Sequence, residues 1–213
     1  MKTRTTKIGR FTVILEESFS SVGLSSNVYI TKLAGSHYLF DTSGHSNFVD
    51  FLKALNITPE SLAAAFLTHG HYDHIQGLTS LSKFGIPVYI STEDLNLFLF
   101  GREREYVASL DEAQDILVTL GMDLLKTPGH TPGSVCYYSK KEKLLISGDT
   151  VFSGGYFGRI DLLGGNGQQM KESLRRLASL ELDALLPGHG MPEAKGAHAS
   201  IVAAKENAYC LLG

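Results

Sequence analysis

The chain has 213 residues, of which 43% are hydrophobic and 19% are charged, a composition typical of a soluble globular domain. Its 22 acidic and 19 basic residues give a net charge of −3, which argues against nucleic-acid binding because phosphate backbones are bound by a basic excess. No apolar run reaches the roughly 18 residues of a membrane span, and the first residues lack a signal-peptide core, so the sequence predicts a cytoplasmic protein.

The first forty residues carry mainly strand patterns, whereas helical and strand patterns alternate afterwards. The segment Arg10–Glu17 predicts a hairpin, and Val28–Ile30 and Tyr38–Phe40 predict two strands joined by a turn. The connections Gly101–Tyr106 and Phe152–Gln169 are predicted to be irregular. The remaining predicted helices are, in chain order, one capped by Ser46 with Phe48, Phe51, Leu52 and Leu55 on its apolar face, Ile75–Phe84, Ser91–Phe100 with Ser91 and Asp94 as a capping box, one through Met170, Leu174, Leu177 and Leu180, and a terminal helix through Ile201 and Leu212. The remaining predicted strands are Ala63–Leu67, Pro87–Ile90, Leu117–Leu125, Val135–Tyr138, Leu144–Ser147 and Ala184–Leu186.

A histidine or an aspartate follows several of the apolar runs within one to three residues. The side chains that share this position are Asp41, His69, His130, Asp149 and His189. Because strand ends in layered domains cluster at one edge of the sheets, we expect these side chains to converge. A single histidine or aspartate after a strand is more often a turn or cap residue, so the inference depends on their recurrence.

The segment Thr68–Gly77 (THGHYDHIQG) concentrates three histidines and an aspartate between a predicted strand and a predicted helix. His69 and His71, two residues apart in an extended loop, can hold one ion, whereas Asp73 and His74 at the start of the helix point toward a second position. Imidazole and carboxylate ligands without a thiolate favour zinc, iron, manganese or a related divalent ion. The segment therefore predicts a site for two metals.

Separated motifs carry a resemblance to a known family. They are THGHYDHIQG, TPGHTPGSV at Thr127–Val135, SGDTVFSGGYFGRID at Ser147–Asp161 and LPGHG at Leu186–Gly190. In this order they resemble the metallo-β-lactamase-fold hydrolases, and within them the glyoxalase II (hydroxyacylglutathione hydrolase) group. The resemblance extends from Asn27 to about Met191.

The resemblance implies an α+β fold, a four-layer αββα sandwich with a two-metal site at one sheet edge. It also implies a single domain over residues 1–213, without the C-terminal helical substrate domain of longer glyoxalase II enzymes. Asp41 resembles the aspartate that supports the family's metal loop by hydrogen bonds to the loop backbone or to a ligand histidine, and a simple turn residue is the alternative. The implied ligands are His69, His71 and His130 for the first metal, Asp73, His74 and His189 for the second, and Asp149 as a bridge between both.

The reaction implied by the resemblance is thioester hydrolysis by a dinuclear metal-dependent hydrolase. A metal-bridged hydroxide attacks the thioester carbonyl, and Asp73 and Asp149 serve as ligands beside it. The implied cofactors are two divalent metal ions, with zinc favoured and iron or manganese as alternatives. The implied partner is a small-molecule acyl thioester, and neither nucleic acid nor a membrane is expected.

Four further residues are candidate substrate contacts. Tyr156 and Phe157 lie in the glycine-rich connection and are candidates for the pocket wall. Arg159 contacts substrate or forms an ion pair with Asp161 that braces this connection. Arg102 contacts an anionic substrate or lies on a solvated charged face.

Two cysteines are too few for a disulfide framework, and their spacing does not form a CxxC pair. Cys136 falls in an alternating strand and Cys210 in an amphipathic helix, so both are predicted to be packing residues.

Other functions share parts of this pattern. A persulfide dioxygenase would use one iron held by His69, His130 and Asp149, and a lactone hydrolase would use the same ligands as the thioesterase. The absence of an export signal disfavours β-lactam hydrolysis, and the lack of a basic surplus disfavours phosphodiester cleavage. A non-catalytic metal protein would need a closed site, which the glycine-rich loops do not suggest.

Overall fold

The structure of the protein is a computed structural model, and it describes residues 4–15, 25–45, 47–99 and 101–213, without the side chains of residues 101–103. The chain divides into two compact units, Met1–Ala113 and Gln114–Gly213. The single domain predicted from the sequence stays a prediction.

A mixed β-sheet forms the frame of the first unit in the part of the chain that the structure describes. Its strands pair in chain order, antiparallel among the first four and parallel from the fourth to the last. They are β1 (Thr5–Ile8), β2 (Phe11–Ile14), β3 (Val28–Leu33), β4 (Ser36–Phe40), β5 (Leu62–Phe66), β6 (Val88–Ile90) and β7 (Val107–Ser109). The helices of this unit are α1 (Phe48–Ala54), α2 (Tyr72–Ile75), α3 (Leu78–Ser82) and α4 (Thr92–Phe98), with 3-10 helices at Pro59–Ser61, Gly101–Tyr106 and Leu110–Ala113.

The parallel pairing of β4 and β5 positions the first group of candidate site residues. Phe40 pairs with Phe66 at the carboxyl ends of the two strands. Asp41 therefore leaves its strand beside the loop that continues from Phe66, and its backbone N–H donates to the Phe66 carbonyl at 3.0 Å.

Helices cover one face of this sheet with apolar side chains. Phe48 and Leu52 of α1 and Leu81 of α3 are fully buried in one cluster with Leu39 and Ile90 of the sheet. Burying one such side chain contributes roughly 2 kcal/mol to stability. This packing holds the strands whose ends carry the site loops.

The second unit contains a four-stranded sheet within the described residues, in the order β13, β10, β9, β8. Its strands are β8 (Asp123–Lys126), β9 (Val135–Ser139), β10 (Leu144–Gly148) and β13 (Ala184–Pro187), and β11 (Val151–Phe152) and β12 (Tyr156–Phe157) form a separate pair. Its helices are α5 (Gln114–Thr119), α6 (Gly167–Leu177) and α7 (His198–Leu211), with a 3-10 helix at Ser153–Gly155. Because β13 is parallel to β10 while β9 is antiparallel to both β8 and β10, the carboxyl ends of β8, β10 and β13 lie at the same edge.

Two helices pack on this second sheet through apolar side chains. Met170 and Leu174 of α6 are fully buried together with Ile201 and Ala204 of α7. The Asn166 side chain caps α6 by accepting a hydrogen bond from the Gln169 backbone N–H at 3.0 Å.

Two predicted elements differ from the structure. The predicted helix Ile75–Phe84 is two short helices, α2 and α3, because the Gly77 N–H donates to the Ser43 carbonyl at 3.4 Å instead of continuing one helix. The predicted strand Leu117–Leu125 is the end of α5 followed by β8. Gly121, at φ +65°, makes the turn between them, and a short apolar run has no periodicity that separates helix from strand.

Other local predictions also change. The Gly101–Tyr106 connection is a 3-10 helix, and Phe152–Gln169 includes the short β11 and β12 pair. The predicted cap, Ser46, lies outside the described residues, and α1 begins after Asn47.

The two cysteines have different environments. Cys136 is fully buried, and burial raises the pKa of its thiol to about 11, so it is the packing residue that the sequence predicts. The same prediction is wrong for Cys210, which is exposed on α7 because the buried face of that helix is formed by Ile201, Ala204 and Ala208. Within the described ranges, no helix combines the length and the hydropathy that crossing a membrane requires.

Candidate metal centre

The loop after β5 brings four candidate ligands of the first unit together. His69 and His71 precede α2, and Asp73 and His74 lie in its only turn. The His69 ring centroid is 4.9 Å from that of His71 and 4.1 Å from that of His74. Candidate ligand atoms lie within 4.8 Å of each other in the pairs His69 and His71, His69 and His74, and Asp73 and His74. The spacing of this loop thus gathers nitrogen and oxygen donors in one place.

Asp41 contacts this loop through its buried carboxylate. Its Oδ1 accepts from the Thr68 backbone N–H at 2.8 Å, and its Oδ2 accepts from the Thr68 hydroxyl at 2.9 Å and from His74 Nδ1 at 2.9 Å. Its backbone φ of +60° is the left-handed conformation, which aspartate adopts more readily than most residues. The next residue, Thr42, donates its backbone N–H and its hydroxyl to the His74 carbonyl, at 2.9 and 2.8 Å.

These contacts determine which nitrogen of each imidazole carries the proton. An ionised carboxylate only accepts, so His74 donates from Nδ1 and keeps the lone pair of its neutral ring on Nε2. The Thr68 hydroxyl gives its single hydrogen to Asp41, so Thr68 Oγ1 accepts from His69 Nδ1 at 3.1 Å. His69 and His74 are therefore both held in the tautomer in which Nε2 can bind a metal.

Three candidate ligands of the second unit lie at the common edge of its sheet. His130 follows β8, Asp149 follows β10 and His189 follows β13. Asp149 Oδ2 is 3.5 Å from His130 Nε2 and 3.5 Å from His189 Nε2. The Gly188 N–H donates to the Gly148 carbonyl at 2.8 Å, which ties together the strand ends that carry Asp149 and His189. One carboxylate is thus shared by two imidazoles.

The glycine-rich connection fixes the orientation of His130. His130 Nδ1 donates to the Arg159 carbonyl at 2.7 Å, so its lone pair also lies on Nε2, the atom that faces Asp149. A Cβ at Gly158, the residue before Arg159, would collide with the Asp149 carbonyl and lie 3.0 Å from His130 Nδ1. This close approach requires glycine at position 158.

We expect Gly158→Ala to lower the free energy of unfolding by about 1–3 kcal/mol and to reduce the metal content of the folded protein, because the added methyl displaces two candidate ligands. Gly121→Ala is the matched control, since Gly121 has φ +65° but open space around its Cα. It should be destabilised by about 1–2 kcal/mol of backbone strain and keep its metal. Denaturant unfolding and elemental analysis measure both effects. Full metal content in Gly158→Ala would contradict the prediction.

The candidate substrate contacts of the second unit differ in environment. Tyr156 is 71% exposed, whereas Phe157 is partly buried against the apolar core of this unit. Arg159 forms two hydrogen bonds to Asp161, of 2.9 and 2.7 Å, and its guanidinium lowers the pKa of the Asp161 carboxyl to about 2. The structure therefore contains the predicted ion pair between Arg159 and Asp161, and substrate contact by Arg159 stays a prediction.

The charged segment at Gly101–Tyr106 contributes a contact to α4. The side chain of Arg102 is outside the described part of the chain, so its predicted role stays a prediction. Arg104 donates to the Leu95 carbonyl at 3.3 Å and to Asn96 Oδ1 at 2.7 Å, which attaches the segment to the helix.

Sequence reasoning missed three residues that contact the His69–His71 loop or its ligands. The sequence indicates Thr68 only as part of the motif, and it indicates Phe98 only as part of Asn96–Tyr106, a segment predicted as a candidate pocket wall. Asp94 was predicted only as a local capping residue. The capping half is confirmed, since Ser91 Oγ accepts from the Asp94 N–H at 3.3 Å, but the Asp94 carboxylate also reaches the Gly70 N–H.

Comparisons with known proteins identify the class. The family model of the metallo-beta-lactamase superfamily matches residues 22–189. The chain therefore belongs to the metallo-beta-lactamase superfamily, which confirms the predicted α+β fold of that family.

Relatives within the superfamily include hydrolases. The chain is 34% identical over 185 residues to the probable metallo-hydrolase YqgX of Bacillus subtilis (strain 168), covering 78% of this chain and 86% of that protein. It is 38% identical over 157 residues to hydroxyacylglutathione hydrolase of Bartonella quintana (strain Toulouse), covering 68% of this chain and 58% of the relative. The crystal structure of TTHA1623 in a di-iron-bound form has 25% identity and a TM-score of 0.61, over 79% of this chain and 89% of that chain.

The predicted resemblance to glyoxalase II is thereby confirmed, and the family and its relatives support a metal-dependent hydrolase. The donor set fits this class, because imidazole nitrogens and carboxylate oxygens are the ligands that divalent transition-metal ions prefer. Superfamily and donor set together imply divalent metal ions as cofactors.

Proposed function

We propose that this protein is a dinuclear metal-dependent thioesterase of the glyoxalase II type. The observation that carries the proposal is the hydrogen bonding of three imidazoles. His69, His74 and His130 each have Nδ1 bonded to an oxygen of the protein, which orients Nε2 as the metal-binding atom in both units. Histidines that served only as turn or cap residues would not need a common tautomer.

The proposed ligand sets follow the division that the motifs predict. One ion would be held by the two histidines of the loop and the histidine after β8, and the other by the candidate ligands of α2 and the histidine after β13, with one aspartate available to both. The residues are His69, His71 and His130, then Asp73, His74 and His189, with Asp149 as the bridge.

When bound, two divalent ions polarise a carbonyl oxygen and lower the pKa of a coordinated water toward neutrality. Only Asp73 and Asp149 among the proposed ligands are charged, so the loaded site retains a net positive charge. Such a site suits an ester whose carbonyl oxygen becomes negative as the carbon is attacked. In the overall reaction the C–S bond breaks, a C–O bond to water oxygen forms, and the thiol leaves as a thiolate that needs little acid assistance.

The residues of the chain hold the site in place for this reaction. Asp41 fixes the tautomers of His69, through Thr68, and of His74, and the Arg159 carbonyl fixes that of His130. The exposed Tyr156 ring is a candidate wall for the substrate, and the neighbouring Phe157 packs against the apolar core of the unit. No serine, cysteine or lysine nucleophile is required, and the buried Cys136, with a pKa of about 11, stays protonated.

An acyl thioester is the proposed substrate class, and zinc is the proposed metal. Similarity to hydroxyacylglutathione hydrolase supports the thioester, while the matched region spans 58% of that relative. The proposal therefore covers the acyl-transfer chemistry and leaves recognition of the glutathione part to experiment. Zinc is favoured because all proposed ligands are imidazoles or carboxylates. Iron is the alternative to test, because a structural relative has been described in a di-iron-bound form.

We expect protein purified without added metal to contain close to two ions per chain and to release thiol from S-lactoylglutathione. A chelator should reduce thiol release to background, and added zinc should restore it, because each proposed catalytic function depends on the ions. Elemental analysis and a thiol assay measure the two quantities on the same sample.

Two results would contradict the proposed metal-dependent thioesterase activity. Thiol release that persists after elemental analysis shows the metal to be gone would rule out the metal-dependent mechanism. A single iron per chain, no thiol release, and oxygen uptake with glutathione persulfide would assign the protein to the dioxygenases instead.

A further inference from the structure

The helix α4 packs against the loop that carries His69 and His71, at the glycine between them. We infer that Asp94 and Phe98 of α4 are positioning residues that hold these two histidines in their metal-binding orientation. The inference rests on the proposed function, because it assigns α4 a role at the same metal site.

The Asp94 carboxylate makes the polar contact. Asp94 is 0% exposed, and its Oδ2 accepts from the Gly70 backbone N–H at 2.8 Å across 24 residues of sequence. A buried carboxylate is strongly unfavourable unless hydrogen bonds compensate for its lost hydration, so this contact is a specific one. It fixes the peptide plane between His69 and Gly70.

Phe98 makes the apolar contact from the other end of α4. A Cβ at Gly70 would lie within 2.8 Å of three Phe98 side-chain carbons, so the backbone of the loop rests directly on this ring. The Phe98 ring also meets the His71 imidazole edge-on, with centroids 5.1 Å apart. Gly70 is thus held by the hydrogen bond that its N–H donates to Asp94 and by contact with Phe98.

The helix itself is anchored at both ends. Ser91 caps its first turn, and the Thr92 hydroxyl lies 3.0 Å from that of Ser109 in β7. Arg104 binds the Leu95 carbonyl and Asn96 near its last turn. A helix fixed in this way can transmit a defined position to the loop, whereas a mobile helix could not.

One peptide unit controls two ligands in this arrangement. His69 and His71 flank Gly70, so rotation of the backbone at Gly70 would turn both imidazoles away from a shared ion. Asp41 acts on His74 directly and on His69 through Thr68, whereas the α4 contacts act on Gly70, between His69 and His71, and on the His71 ring. The α4 contacts therefore act mainly on the ion assigned to His69 and His71.

The test compares Asp94→Ala with Asp94→Asn and with Glu93→Ala. Asp94→Ala removes the acceptor, Asp94→Asn keeps an acceptor oxygen of the same reach, and Glu93→Ala removes an exposed acid from the same first helical turn. Zinc binding to each metal-free protein is measured by competition with a chromophoric chelator. We expect Asp94→Ala to weaken one of two binding steps by about 10–100-fold, as loss of an outer hydrogen bond to a metal site does. Asp94→Asn, which keeps the acceptor, should weaken that step less than Asp94→Ala does, and Glu93→Ala should stay near wild type.

Amide exchange of Gly70 in the metal-free protein is the second measurement. We expect faster exchange in Asp94→Ala and unchanged exchange in Glu93→Ala. If Asp94→Ala does not fold, Phe98→Leu replaces it, with the same expected weakening of one binding step.

The outcomes separate this inference from the proposed function. Wild-type protein that binds two zinc ions, together with Asp94→Ala or Phe98→Leu that binds both with wild-type affinity, overturns the positioning role alone. Equal weakening of both steps also overturns it, because a general loss of structure would act on both. Wild-type protein that binds metal without hydrolysing thioesters refutes the proposed function, while the binding steps still decide the role of Asp94.

Discussion

Asp149→Asn should reduce the rate of thioester hydrolysis by about 1,000-fold, which is the upper end of the rate loss caused by removing one electrostatic contact from an active site. Asp149 Oδ2 is 3.5 Å from both His130 Nε2 and His189 Nε2, so one substitution changes the surroundings of two imidazoles. The amide keeps the size of the carboxylate but removes the charge that a bridging ligand supplies. Metal content should fall together with activity, measured on the same preparation.

Asp123→Asn provides the control for Asp149→Asn. Asp123 is an exposed aspartate on β8 of the same unit, so its replacement changes the net charge equally without touching the site. It should keep both its metal and its activity. Asp149→Asn with two ions and wild-type rates would remove Asp149 from the proposed centre.

Asp41→Asn should weaken metal binding by about 10–100-fold, because Asp41 determines the tautomer of two candidate ligands. The carboxylate accepts from the Thr68 N–H, the Thr68 hydroxyl and His74 Nδ1, and an amide cannot accept at both ends. Its N–H₂ group would face one of these donors. We also expect the free energy of unfolding to drop by about 1–3 kcal/mol, since a buried donor then lacks its acceptor.

Two further variants make this result specific. Asp50→Asn changes an exposed aspartate on α1 and should leave metal binding unaltered. Thr68→Val keeps the side-chain shape but removes the hydroxyl between Asp41 and His69, so it should weaken zinc binding less than Asp41→Asn does. Zinc competition titrations measure all three. Equal affinities for wild type and Asp41→Asn would show that Asp41 is only a turn residue.

The candidate ligands could be predicted from the sequence because their signal is local. His69, His71, Asp73 and His74 fall within six residues, and the histidine or aspartate after each apolar run reports where a strand ends. Strand direction then brings such residues to one edge, as the structure shows for Asp41 and His69 in one unit and for Asp149 and His189 in the other.

Other features could not be predicted because they depend on packing between distant segments. Nothing in the neighbourhood of Asp94 indicates a contact with Gly70, 24 residues earlier, and a capping box explains the residue completely at the local level. The sequence predicts a strand where α5 ends because the apolar run from Leu117 is too short for its periodicity to distinguish a helix from a strand. The need for glycine at position 158 depends on the Asp149 carbonyl, which only the fold brings near.

The position of Asp41 on a neighbouring strand has a consequence for protein design. The short motif from His69 to His74 suggests transfer to another protein, since it contains four candidate ligands in one loop. Two of its imidazoles, those of His69 and His74, are however oriented by an aspartate that enters from the end of β4 in a left-handed backbone conformation. A graft of the loop alone onto another scaffold would present unoriented histidines. A functional transplant must therefore carry at least two adjacent parallel strands, with Asp41 and Thr68 in register, together with the α4 contacts to Gly70.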